Sequence, residues 1–170
     1  GFSHDSKKLK AYIADRYQVE AENVALYGSG RTALSEAIKY FTKPGDKVAI
    51  TALTCFAVVE AVRSANCEPV YLDVNLQNLH FDAKILEKAC TKNPEIKAVI
   101  VQNNLAYPCD MVNIESVAKK YNLALIEDLA HCVGMDYPDG REAGTVGDAV
   151  IMSFGKGKSL DLISGGLLFL

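Results

Sequence analysis

Nothing in this 170-residue chain approaches a membrane span. Its longest uncharged stretches, such as Val48–Val59, fall well short of the ~20 consecutive apolar residues a spanning helix requires. The opening residues, GFSHDSKKLK, lack the apolar core of a secretory leader. No C-x-x-C pair occurs among the five cysteines, which are scattered at positions 55, 67, 90, 109 and 132. Their odd number and apolar surroundings suit reduced thiols behaving as small hydrophobes, and hence a cytoplasmic protein. The three histidines, His4, His80 and His131, do not fall at metal-ligand spacing, so no metal site is expected. Basic residues form no stripe and the formal net charge is −3, which argues against a nucleic-acid partner. Neither G-x-G-x-x-G nor a Walker loop is present, so neither a dinucleotide nor a nucleoside triphosphate is supported.

What is there reads as an ordinary globular domain, with 49% hydrophobic and 23% charged residues, enough apolar surface for a substantial core. Short β-branched runs read as buried strands at 24–27, 47–51, 69–74, 97–102, 123–128, 149–154 and 166–170. Between the first five lie segments with helical spacing: RTALSEAIKYF, CFAVVEAVRSA, DAKILEKAC and NIESVAKKY. Continuous apolar strands alternating with amphipathic helices predict a three-layer α/β/α domain around a mostly parallel seven-stranded sheet. The PGD turn at Pro44–Asp46 ends one helix and feeds the next strand. No helix separates the last two strands, so one of them is expected to run antiparallel to the rest.

In such sheets ligands sit at the carboxyl ends of the strands, and three loops at that edge carry unusual residues. YGSGRTALSEAI (27–38) is a strand, a glycine-flanked turn and a helix expected to begin near Thr32. Its first N–H groups and dipole favour an anion. IEDLAH (126–131) puts two carboxylates at a buried strand end. Side chains alternate across a strand, so only one of Glu127 and Asp128 can face the site. SFGKGKSL (153–160) offers two loop lysines, Lys156 and Lys158. Taken singly, each feature has a commoner reading: a plain helix start, a capping or salt-bridge aspartate, a packed histidine, a solvated lysine. Together they supply an anion cradle, a partner for a cationic ring nitrogen and a nucleophilic amine, the set that pyridoxal 5′-phosphate (PLP) requires.

These motifs resemble, in order and over nearly the whole chain, the sugar aminotransferases of the DegT/StrS group within the fold-type-I PLP enzymes. The segments that carry the resemblance are GSGRTAL, TCFAVVEAV with EPVYLDV, AVIVQNNLAYPCDM, LIEDLAH, AGTVGDAVIMSF and the lysine loop ending in SGG. The resemblance implies that Lys158, five positions after Ser153, forms the Schiff base with PLP and then serves as general base and acid. It implies that Ser153 helps hold the phosphate, that Asp128 faces the pyridine nitrogen and that His131 sits beside the ring. Gly30, Arg31 and Thr32 match the phosphate turn. Arg31 replaces the usual small hydroxyl residue, which leaves Ser29 and Thr32 as alternative donors. Cys55 aligns with the aromatic that stacks on the ring, with Phe56 its immediate neighbour, and Ala106 stands where a glycine is common.

Family members continue into a smaller C-terminal domain, so residues 1–170 are expected to form the PLP-binding large domain alone. The implied activity is transfer of an amino group from an amino acid, usually glutamate, to a keto-sugar nucleotide, by a homodimer. Another fold-type-I chemistry, lyase or dehydratase, and a truncated non-catalytic binding domain are the alternatives.

Overall fold

A computed structural model describes residues 2–103, 109–129, 134–154 and 165–169. The elements in chain order are α1 (Phe2–Tyr17), a single 3-10 turn (Ala21–Asn23), β1 (Val24–Tyr27), α2 (Gly30–Phe41), β2 (Lys47–Thr51), α3 (Phe56–Ser64) and β3 (Glu68–Leu72). They continue with α4 (Ala83–Lys92), β4 (Ile96–Gln102), α5 (Met111–Lys120), β5 (Ala124–Asp128), β6 (Ala149–Phe154) and β7 (Gly165–Phe169). The strands form one sheet in the order β1-β7-β6-β5-β4-β2-β3. Strands β3, β2, β4, β5 and β6 pair in parallel, and β7 lies antiparallel between β6 and β1. The expected antiparallel strand is therefore β7.

Each face of the sheet is buried under helices, which explains why the strands read as continuous apolar runs. Val99, Val101, Leu125, Val150 and Met152 pack beneath α1, α4 and α5. The alternate residues Ala98, Ile100, Ile126, Ala149 and Ile151 pack beneath α2 and α3. Ile100 and Ile126 are completely buried, each contributing about 1.5–3 kcal/mol of transfer free energy. With both faces apolar, the alternation decides which face each side chain serves, and that parity later separates Glu127 from Asp128.

Several local features differ from the sequence expectation. Helix α2 starts at Gly30, because Ser29 caps it, rather than near Thr32. Strand β3 ends at Leu72, two residues early, where Asp73 and Val74 leave the ladder. Helix α1 was not anticipated at all. Among its described side chains Ile13 and Tyr17 are buried and Leu9 and Ala14 are partly covered, while five charged residues interrupt KKLKAYIADRY. Tertiary contacts hold it: Tyr17 joins the core, and Arg16 makes a two-pronged ion pair with Glu142. The PGD turn behaves as expected. Gly45 adopts φ +91°, and Asp46 Oδ2 accepts from Lys43 N at 2.8 Å. Among the described residues, no helix is long and apolar enough to cross a membrane.

Candidate functional site

The strand registers bring the singled-out segments to one edge. Asp128 ends β5 opposite Gln102 of β4 and Ile151 of β6. On the other side of β7, Tyr27 and Ser153 both register against Gly166. The turn that follows Tyr27 therefore leaves the sheet at the level of Ser153, two residues past the level of Asp128.

At that turn the backbone of Ser29 is extended (φ −155°, ψ 159°), and its Oγ accepts from Thr32 N at 3.1 Å. The same hydroxyl lies 3.0 Å from Thr32 Oγ1. The cap satisfies one first-turn N–H, and Gly30 and Arg31 have no intrahelical acceptor by the geometry of a helix start. No acidic residue occupies the first turn of α2, and a side chain at Gly28 would meet nothing within 4 Å. The turn is thus open and electropositive, as an anion site requires. The Arg31 guanidinium is paired with Glu60 of α3. Both residues line a groove of about 790 Å³ between α2 and α3, together with Thr32, Phe56 and Arg63.

The β2–α3 connection is tied to the same edge by Thr54, whose hydroxyl donates to Gln102 Oε1 at 2.7 Å. Cys55 follows as an exposed N-terminal cap without a side-chain capping bond. Phe56 is 72% exposed, and its ring forms part of the groove wall with Arg31 and Thr32. The aromatic surface at this corner is therefore Phe56, while Cys55 contributes none.

The two carboxylates of β5 divide as alternation requires. Asp128 shares the sheet face of Ile126, beneath α2 and α3, and is 8% exposed. Glu127 shares the opposite face with Leu125 and is completely buried. Its Oε1 accepts from Val146 N at 2.8 Å and Gly147 N at 2.6 Å; its Oε2 accepts from Gly144 N at 2.7 Å and the Tyr137 hydroxyl at 2.5 Å. Burial and the adjacent Glu127 charge push the Tyr137 hydroxyl far above its ordinary range, so it remains a donor. Tyr137 in turn accepts from Asn103 Nδ2 at 2.8 Å.

Of the residues singled out in the sequence, the structure brings Ser29, Gly30, Arg31, Thr32, Cys55, Phe56, Asp128 and the backbone of Ser153 to this edge. His131, Lys156 and Lys158 lie outside the described residues, as does Ala106. Sequence reasoning missed Thr54, Glu60, Gln102 and Tyr137. Only Tyr137 had a local signal, an aromatic in the largely polar stretch DYPDGRE. Among the described residues, no group of three or more His, Cys, Asp and Glu side chains could hold a metal ion.

A doubly covered α/β domain with an anion-accepting turn and an acidic strand end at one sheet edge has the layout of an enzyme built around a phosphorylated cofactor. The chain belongs to the DegT/DnrJ/EryC1/StrS aminotransferase family, whose sequence profile matches residues 6–170. It is 34% identical over 141 residues to a GDP-perosamine synthase of Caulobacter vibrioides, covering 82% of this chain and 37% of that protein. It is 31% identical over 149 residues to dTDP-3-amino-3,6-dideoxy-alpha-D-galactopyranose transaminase of Aneurinibacillus thermoaerophilus, covering 87% and 39%. The crystal structure of the aminotransferase TlmJ from Streptoalloteichus hindustanus superposes with a TM-score of 0.84 at 29% identity, over 96% of this chain and 44% of that one. The chain thus spans about two fifths of the length of these relatives.

Proposed function

We propose that this chain is the cofactor-binding large domain of a PLP-dependent sugar aminotransferase, acting with an amino-acid donor such as glutamate and a keto-sugar nucleotide acceptor. The observation that carries the reading is the placement of Asp128. It is a buried carboxylate at the carboxyl end of a central strand, on the face shared with α2, while its neighbour Glu127 is committed elsewhere. The donor set suits PLP. The first turn of α2 with the hydroxyls of Ser29 and Thr32 would take the phosphate, Asp128 would face the ring nitrogen, and Phe56 offers an exposed ring beside them. When bound, PLP supplies an electron sink for a carbanion next to the substrate nitrogen.

The chain's own residues then have separable tasks. Asp128 would hold a proton on the ring nitrogen through a charge-assisted hydrogen bond. The α2 turn would orient the phosphate, and Ser153 would help hold it. Lys158 Nζ would anchor the cofactor and afterwards move a proton as general base and acid. His131 would flank the ring. The same reading makes the protein a homodimer that works in the cytoplasm. Among the described residues, Cys55, Cys67 and Cys90 carry free thiols, which accords with a reducing compartment.

Borohydride reduction of the full-length protein after PLP uptake, followed by peptide mapping, tests the anchor. Label is expected on Lys158; label on Lys156 overturns the assignment. Asp128→Asn should preserve the fold and lower turnover by about a hundredfold or more, the scale on which one preorganised electrostatic partner acts. Unchanged turnover would remove Asp128 from the site.

A further inference from the structure

Glu127 is a completely buried carboxylate with no cationic partner among the described residues. A buried charge without a counter-ion persists only where hydrogen bonds replace its hydration. An ionised carboxylate has about four lone-pair sites and no donor, and here all four are taken, by three backbone N–H groups and the Tyr137 hydroxyl. The surrounding chain is shaped to make that possible. Gly144 sits at φ +101°, and a side chain on Gly147 would come within 3.0 Å of Glu127 Cγ and 2.8 Å of Leu125 O. Tyr137 extends the network to Asn103, the residue after Gln102.

This arrangement does more than fill a core. Glu127 is joined to Asp128 by one peptide bond, and Gly147 lies two residues before β6, the strand that carries Ser153. Locking the carboxylate therefore fixes the peptide plane from which Asp128 projects and the point at which β6 enters the sheet. We propose that Glu127 is the positioning residue of the PLP site, its saturated buried carboxylate aligning Asp128 and β6 for the cofactor. This rests on the reading of Asp128 as the ring-nitrogen partner.

Glutamine is nearly isosteric but presents an NH2 group to two of the four donors, so Glu127→Gln breaks the collar without changing its volume. Tyr137→Phe removes one donor of four and keeps the three backbone bonds, so it remains informative if Glu127→Gln does not fold. In the full-length protein, PLP dissociation constants, the absorbance maximum of bound PLP and amide hydrogen exchange at residues 144–147 would be measured for wild type and both variants. The expected result for Glu127→Gln is about tenfold or more weaker PLP binding, the worth of one lost hydrogen bond to a charged group. A displaced absorbance maximum and faster exchange at 144–147 should accompany it, with Tyr137→Phe intermediate. Variants that lose thermal stability yet keep wild-type PLP affinity and spectrum would reduce Glu127 to a structural residue and overturn the inference alone. A wild type that takes up no PLP would overturn the functional reading, and the inference with it.

Discussion

Gly144 offers a quantitative test of how tightly the segment between β5 and β6 is packed. Replacing it with alanine has two separable costs. Its φ of +101° is a conformation that L side chains rarely adopt, worth about 1–2 kcal/mol. The added methyl would also lie 2.9 Å from both Leu129 Cδ1 and Tyr17 Cε1, well inside the ~3.5–4.0 Å of a favourable carbon contact. Leu129 is completely buried and Tyr17 is 6% exposed, so neither can swing into solvent. Overpacking of this kind costs about 1–3 kcal/mol, for a total of roughly 2–5 kcal/mol. Gly140→Ala is the control. Gly140 has nearly the same backbone (φ +90°), but an added Cβ meets nothing within 4 Å, so only the conformational cost remains. Urea unfolding followed by far-ultraviolet circular dichroism would compare the two variants. With a slope of about 2 kcal/mol/M, Gly144→Ala should lower the midpoint by roughly 1 M or more, and Gly140→Ala by about half that or less. Equal midpoints for the two variants would refute the packing argument and leave only backbone strain.

Ser29→Ala removes the side-chain cap of α2 and should cost about 1 kcal/mol in the same assay; no change would mean that the hydroxyl does not hold the turn. Burial, reinforced by the Glu142 carboxylate, pushes the Tyr17 hydroxyl up from 10.0 to about 12. A folded-state value above the unfolded one contributes stability that is complete below pH 10 and lost as pH rises toward 12. Tyr17→Phe should therefore flatten the decline of the urea midpoint over that interval without abolishing it, since Tyr137 is shifted in the same direction; an unaltered slope would rule Tyr17 out as a source.

The period of the apolar residues was sufficient for the architecture. Runs such as KAVIVQ and LALIED read as central parallel strands, and the lack of a helical apolar pattern in the sequence before the final run pointed to one antiparallel strand. Alternation along LIED also determined that Glu127 and Asp128 point to opposite faces, because that follows from strand geometry alone. It could not say what Glu127 would meet. The donors that saturate it come from Tyr137, Gly144, Val146 and Gly147, ten to twenty residues downstream, in a segment with no period to read. Helix α1 was invisible for a related reason: its segment is strongly charged and shows no clear apolar stripe, and its place depends on the tertiary contacts of Tyr17 and Arg16. The Arg31–Glu60 pair and the Thr54–Gln102 bond likewise join residues 29 and 48 positions apart. Local pattern decides which face a side chain serves, whereas its partner is decided by whichever distant segment the packed sheet brings alongside.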